Sequence, residues 1–157
     1  MREMRVRKRA LDEAEAREIL AWAEHGILAT VGADGWPYAV PLNHVLAGDA
    51  IYLHCAFEGH KIDNIAHEAR VSYCAVARAQ VLPEKLSTLY ESAIVFGRAS
   101  LVADEEEKRR ALKLLTERFC GKSAETQARF DEHLRQHGSS QVIRIAIERM
   151  TGKAHRA

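Results

Sequence analysis

Two neighbouring basic residues, His60 and Lys61, stand where the sequence changes from a strand pattern to a helix pattern. Strand-forming residues occupy 51–53, and 60–67 then has helical character. The free N–H groups at a helix N-terminus carry a partial positive charge, and phosphate groups bind there. A lysine in the first turn adds a full charge. The stretch 51–65 therefore predicts a seat for the phosphate of a phosphorylated cofactor.

A lysine in the first turn of a helix is common, and alone it usually has no function. The residues around Lys61 favour a binding site, because a polar strand end precedes the helix. That strand end contains His54 and Cys55, and the small residues Ala56 and Gly59 follow it.

Other chemistry has weaker support. The sequence contains no Walker phosphate loop, no GxGxxG, no GxSxG elbow and no HExxH motif. His133 and His137 are four residues apart on a predicted helix and can share a face, but no third ligand is evident. We therefore predict no metal site. His67, late in its helix, is more simply explained as a solvated residue favoured by the helix dipole.

Length and charge limit the possible functions. The 157 residues predict a single domain, residues 1–157, with a core of its own. The 23 basic and 22 acidic residues give a net charge of +1, which does not favour nucleic acid as a partner. No apolar run is long enough to span a membrane, and no signal peptide is apparent. The three widely spaced cysteines suggest neither disulfides nor zinc, so we expect a cytoplasmic protein.

The first half of the chain predicts one helix and a three-stranded meander. Residues 12–25 have an apolar stripe at helical spacing, with a capping box at Asp12 and an end at Gly26. Strands are predicted at 26–31, about 37–46 and 50–54. Pro41 cannot donate to a ladder, so the second strand has an open edge or a bulge there. An interrupted ladder leaves backbone groups for a ligand, although a harmless edge proline is the simpler reading.

The second half predicts three strands and two helices after the short helix. Strands are expected at 71–77 and 90–103, with a loop over 78–89 between them and a bulge or close approach at Gly97. A helix over 104–119 begins with a second capping box at Asp104 and ends at Gly121, and a weaker helix follows at 123–136. The last strand is 141–151, and the tail from Gly152 is expected to be loose.

This order of elements predicts a mainly β protein of the α+β class. Most connections between successive strands are too short for parallel crossovers, so the sheet should be antiparallel. Six strands with this spacing suggest a small barrel decorated by helices.

The chain resembles the flavin-binding split β-barrels related to pyridoxamine 5′-phosphate oxidase, and within them the nitroimidazole-resistance, nitroreductase-like branch. Four segments carry the resemblance, and 51–65 is the most specific of them. The others are GWPYAVPLN at 35–43, YESAIVFGRA at 90–99 and DEEEK at 104–108. The arginine-rich ending of the true oxidases is missing, which argues against vitamin B6 oxidation.

The resemblance implies FMN bound at the interface of a homodimer. It implies that Lys61 holds the phosphate and that His60 stands where the oxidases often have arginine. It places His54 near the flavin, where this histidine is the candidate catalytic residue. The remaining residues expected to border the cofactor are Pro41, Asn43, Cys55, Ala56, Asn64 and Ser92.

Three functions remain open from the sequence. The first is an FMN-dependent oxidoreductase that passes electrons from a reduced nicotinamide to a small acceptor, such as a nitroaromatic. The second is a non-enzymatic module that stores or senses flavin, because no nicotinamide site is obvious. The third is a haem-binding relative with His54 or His60 as the axial ligand. For His54, a purely structural role at a strand end is about as well supported as a catalytic one.

Overall fold

The computed structural model describes residues 3–137 and 140–156. Its four helices are α1 (Glu13–Trp22), α2 (His60–His67), α3 (Glu105–Cys120) and α4 (Ala124–His137). Its eight strands are β1 (Ala10–Leu11), β2 (His25–Val31), β3 (Pro37–Asn43), β4 (Val45–Ala47), β5 (Ala50–Cys55), β6 (Arg70–Leu82), β7 (Ser87–Leu101) and β8 (Gln141–His155). The short 3-10 turns Arg7–Arg9 and Pro83–Lys85 complete the secondary structure of this part.

All strands belong to one antiparallel sheet, which curls into a half-barrel. The strand order is β3-β2-β6-β7-β8-β5-β4, and β1 pairs with β8. The sheet curls far enough for β3 to contact β5, although the two strands share no ladder. The predicted α+β class and antiparallel split barrel are therefore confirmed. β3 is an edge strand, so the open edge predicted at Pro41 is also present.

Two apolar clusters form the core, one on each side of β5. Alternate residues of a strand point to opposite faces of a sheet. Ile51 and Leu53 accordingly pack inside the barrel with α1 and α2, whereas Tyr52 packs outside against α3 and α4. The outer cluster includes Leu112, Leu115, Phe130 and Val142. This arrangement places the two long helices beside the end of β5 that carries the candidate site.

The helix caps were only partly predicted. The capping box of α1 is confirmed, since Asp12 accepts from the Glu15 N–H at 2.8 Å and Glu15 accepts from the Asp12 N–H. The end at Gly26 is wrong, because α1 stops at Trp22 and Gly26 lies in β2. A Cβ on Gly26 would lie 2.5 Å from the ring of Tyr73, so close packing explains this glycine.

The cap of α3 has one of the two predicted bonds. The Glu107 N–H donates to Asp104 at 2.7 Å, but the Glu107 carboxylate accepts from the hydroxyl of Tyr52 at 2.7 Å. A tertiary contact has therefore replaced the second half of the capping box. Gly121 ends the helix with φ = 91°, as predicted.

Two segments predicted to be irregular are strands. The predicted loop over 78–89 is wrong, because β6 and β7 continue as a long hairpin to the pair Leu82 and Ser87. The loose tail is also wrong, since Gly152 pairs with Ala93 in β7 and with Leu11 in β1. In both segments the strand conformation is fixed by the partner strand.

The predicted close approach at Gly97 is confirmed. The β7–β8 register shifts between Phe96 and Gly97, which marks a bulge. A Cβ on Gly97 would lie 2.2 Å from the carbonyl oxygen of Ala146, so only glycine fits this crossing of β7 and β8 without a shift of the backbone.

The predicted six strands become eight for two reasons. The two residues of β1 pair with β8 and carry no strand pattern of their own. The strand expected over about 37–46 is divided at His44, whose side chain is fully buried between β3 and β4.

Candidate functional site

The N-terminus of α2 presents backbone donors without a cap. Gly59 occupies the N-cap position with φ = 130°, and no side chain bonds there. The N–H groups of Ile62 and Asp63 donate back to the Gly59 carbonyl at 2.7 and 3.2 Å. Those of His60 and Lys61 find no acceptor among residues 3–137 and 140–156. Two donors and the helix dipole therefore face outward beside a lysine.

The ring of His60 joins this helix start to the edge of the sheet. It packs on the ring of Tyr38 in β3, with the centroids 4.3 Å apart and the planes 35° apart. Because β3 is an edge strand, one side of its backbone is not paired within the sheet. Pro41 and its neighbours thus lie on an open strand edge that borders the start of α2.

Lys61 and Cys55 lie close enough to interact electrostatically. Burial raises the pKa of the Cys55 thiol, and the Lys61 ammonium opposes that rise. Cys55 is buried at the end of β5 and the half-buried Lys61 follows in α2, with the exposed Ala56 between them. A thiol with a raised pKa is a poor nucleophile, so we assign Cys55 a packing role at the strand end.

Asn64 anchors α2 to the sheet. Its side chain is buried, and its amide nitrogen donates to the Thr30 hydroxyl in β2 at 2.9 Å. Its carbonyl oxygen lies 3.1 Å from the position that a Cβ on Gly32 would take. Within this chain Asn64 positions the helix that carries His60 and Lys61.

His54 and Asn43 line one cavity on the other face of β5. His54 is exposed, and alternation along the strand directs its ring away from the side on which Leu53 and Cys55 are buried. The amide nitrogen of Asn43 donates to the Glu24 carbonyl at 3.0 Å. Together these two residues border a cavity of about 340 Å³ beneath α3 and α4. The structure thus brings two predicted site residues together at the end of β5.

Ser92 lies in a different part of the same chain. It is on β7, which is separated from β3 by two strands. Its hydroxyl donates to the Lys153 carbonyl at 3.4 Å, and the side chain borders a separate cavity of about 400 Å³ with Ile94 and Phe96. A single chain therefore does not join Ser92 to His54 or Lys61.

The outer face of the sheet is apolar, which the sequence did not predict. The register aligns one residue from each of five strands in a row, from β3 to β8. These residues are Pro41, Ile27, Cys74, Ile94 and Thr151. Ile27 and Ile94 are each 37% exposed, and Val76 beside them is 48% exposed. An apolar sheet face of this kind is typical of an interaction surface.

His44 is the other residue that sequence reasoning missed. Its ring is fully buried, with Nε2 2.7 Å from the Leu20 carbonyl oxygen. A signal was available, because His44 follows Val40 and Leu42 at the inward positions of the predicted strand. Its contacts are all within the protein, so its role is to hold α1 against the sheet.

No described group of three or more His, Cys, Asp or Glu side chains could hold a metal ion within 3–137 and 140–156. The His133–His137 pair considered from the sequence involves the side chain of His137, which lies outside the described part of the structure. No helix in the described residues is long and apolar enough to cross a membrane.

Comparison with known proteins agrees with this architecture. Residues 12–154 match the family described as pyridoxamine 5′-phosphate oxidase. Since the match covers most of the chain, the protein belongs to this family of flavin-binding split barrels. Comparison with curated protein sequences gives no match.

Solved structures show the same fold. A candidate 5-nitroimidazole antibiotic resistance protein from Bacteroides thetaiotaomicron has 26% identity and a TM-score of 0.73, with 92% of this chain and 85% of that one covered. A FAD-binding protein from Mesorhizobium loti has 23% identity and a TM-score of 0.67, with 94% and 97% covered. A FAD- and haem-binding protein from Mycobacterium smegmatis has 21% identity and a TM-score of 0.72, with 93% and 72% covered. The last two likenesses establish the fold alone.

Proposed function

We propose that this protein binds FMN and is an oxidoreductase that passes electrons from a reduced nicotinamide to a small acceptor such as a nitroaromatic. One observation carries the proposal: the uncapped start of α2, with Lys61 in its first turn, borders the open edge of β3. The chain belongs to a flavin-binding family, and the likeness to the resistance protein from Bacteroides thetaiotaomicron supports the choice of acceptor.

The donors at α2 suit a single terminal phosphate. The N–H groups of His60 and Lys61, which have no acceptor among the described residues, the helix dipole and the Lys61 ammonium all favour a dianion at one place. FMN carries one phosphate, whereas FAD carries two phosphates and an adenosine. We therefore favour FMN, although two of the three structures compared above belong to proteins described as FAD-binding. Pro41 on the open edge of β3, and Cys55 and Ala56 at the end of β5, would border the ring system.

We further propose that the protein is a homodimer with the cofactor at the interface. The apolar outer face supports this, because Ile27, Val76 and Ile94 would be covered by the same face of a second copy. Ser92 lies on this face and away from His54 within one chain. A dimer would bring the Ser92 of one copy towards the cofactor held by the other.

Bound FMN supplies the transfer of electrons between the donor and the acceptor, and the protein supplies orientation and electrostatics. His54 is exposed and its ring has no hydrogen-bond partner among the described residues. The ring is therefore available to donate a hydrogen bond or a proton to the acceptor. The three free cysteines are consistent with a reducing compartment such as the cytoplasm.

The decisive experiment is to purify the protein, record its visible spectrum, identify the released cofactor by chromatography and measure its mass in solution. We expect a flavin spectrum, FMN and a dimer. Loss of flavin absorbance on anaerobic addition of NADH or NADPH would support the oxidoreductase, whereas no loss would support a flavin-storage module. A Soret band would support a haem protein. Failure to bind either FMN or FAD would overturn the proposal.

A further inference from the structure

The cavity beneath α3 and α4 is a compact space with an apolar floor and a polar mouth. Its volume is about 340 Å³, within the range of small-molecule sites. The floor is formed by apolar side chains of both helices, namely Leu112, Leu115, Phe130 and Leu134. His54, Asn43 and Cys120 are exposed at its mouth. An occupant would therefore place an apolar body inside and a polar group near His54.

The lining also limits the charge of the occupant. Among the described residues that line the cavity, none is a lysine, arginine, aspartate or glutamate, and its two basic groups are the imidazoles of His54 and His133. Moving an ionised group into an apolar space without a paired charge is strongly unfavourable. The cavity therefore favours an uncharged molecule over one that carries a phosphate or a carboxylate.

We propose that this cavity binds a small, uncharged aromatic molecule, with its ring among Leu115, Phe119 and Phe130 and a hydrogen-bonding oxygen at His54. Aromatic rings prefer such surroundings, because offset and edge-on contacts with phenylalanine add to the burial of apolar area. The role of this molecule as the electron acceptor rests on the proposed function. Binding of the molecule does not require the proposed function. Of the residues that line the cavity, only His54 and Asn43 also belong to the candidate flavin site, and the remaining lining residues lie outside it.

The position of the cavity agrees with that role. Its mouth contains His54 on β5, and Cys55, next along the strand, faces the Lys61 side. The two faces of one strand end thus serve two ligands: the candidate phosphate seat lies on one, and the aromatic cavity on the other. His54, at the mouth of the cavity, would lie between the occupant and the reacting end of the cofactor.

The test compares 1-naphthol with 1-naphthyl phosphate by isothermal titration, on the purified protein and again after saturation with FMN. These two probes share a ring system and differ in charge. We expect naphthol to bind at least about 10-fold more tightly than the phosphate, because the described lining contains no lysine or arginine to pair with the charged group. We also expect naphthol to slow the alkylation of Cys120 by N-ethylmaleimide, followed by peptide mass spectrometry, while Cys74 reacts as before.

Two cavity-filling variants, Thr116→Trp and Cys120→Trp, should each weaken naphthol binding by about 10-fold or more, since the indole would occupy the cavity or its mouth. Lys113→Trp is the matched control on the exposed side of α3, and it should change the affinity by less than about twofold. Equal affinity for both probes, or full naphthol binding in both filled variants with native circular dichroism spectra, would overturn the proposal. If naphthol binds as expected but no flavin does, the cavity assignment stands and the proposed function fails.

Discussion

The imidazole of His44 and the hydroxyl of Tyr73 lie 3.0 Å apart in the barrel core. Nε2 of His44 donates to the Leu20 carbonyl, so in the neutral ring Nδ1 is the acceptor that faces Tyr73. The Tyr73 hydroxyl also lies 2.8 Å from the Leu42 carbonyl oxygen. This network ties α1, β3 and β6 together through one buried titratable ring.

Because His44 is buried, its contribution to the free energy of unfolding depends on pH. Desolvation lowers its pKa to about 4, and the nearby charges of Arg118 and His25 act in the same direction, against the hydrogen bond to Leu20. The unfolded state therefore takes up a proton at a higher pH than the folded state does. We expect this contribution to be complete above about pH 6.5 and to be lost, by roughly 3 kcal/mol, as the pH falls towards 4.

Urea unfolding of the wild type and of His44→Gln at a series of pH values measures this effect. Glutamine removes the titrating ring, so the free energy of unfolding of the variant should fall less steeply between pH 6.5 and 4. The comparison of slopes cancels the contribution of carboxylates such as Glu68. Parallel slopes in the two proteins would show that His44 does not titrate as expected.

Replacing Lys61 tests the phosphate seat. Lys61→Ala should weaken FMN binding to the apoprotein by roughly 10- to 100-fold, because a hydrogen bond to a charged phosphate contributes about 1.5–3 kcal/mol. Riboflavin, which lacks the phosphate, should bind the wild type and the variant alike. Lys85→Ala, at the tip of the β6–β7 hairpin, is the control. An unchanged dissociation constant for FMN would remove Lys61 from the site.

His54 is tested through turnover. His54→Ala should lower kcat by about 100-fold with NADPH and nitrobenzene at equal flavin content, the usual scale for the loss of a positioned proton donor. His67→Ala, an exposed histidine in the last turn of α2, serves as the control. Full turnover in His54→Ala would leave His54 with a structural role only.

The apolar outer face is tested through the mass in solution. Ile94→Lys should convert the proposed dimer to a species of 17.6 kDa, because a lysine would be buried without a partner at the interface. Leu101→Lys is the control for Ile94→Lys, because Leu101 lies on the same strand and its side chain is also 37% exposed. Light scattering after size-exclusion chromatography separates the outcomes. If both variants keep the mass of the wild type, this face is not the dimer interface.

The sequence predicts well where the signal is local. The apolar stripe and the cap at Asp12 place α1, and the change of pattern after 51–55 places α2 at His60–His67. The segments 78–82 and 152–155 were missed because their strand conformation depends on pairing with distant strands. Both segments are short and mix polar with apolar residues, so their own residues do not distinguish a strand from a loop.

The candidate site shows the same difference between residues that a local pattern predicts and residues that only the pairing of distant strands brings together. His60 and Lys61 are neighbours in sequence, so the change from a strand pattern to a helix pattern was enough to place them at the start of α2. The apolar outer face could not be predicted from the sequence. It forms because the strand register aligns Ile27, Cys74 and Ile94 across three strands, and no local pattern in the sequence indicates that alignment. The roles assigned to all of the candidate site residues in cofactor binding and catalysis stay predictions.

The strand β8 pairs with β1, β5 and β7, and so joins segments from the start, the middle and the later part of the chain. Its 15 residues are synthesised after all three of these partner strands. Until β8 is made, β5 lacks its main neighbour and the inner barrel is open to solvent. Closure must follow synthesis, and because these contacts span most of the sequence, the barrel should fold slowly for its size.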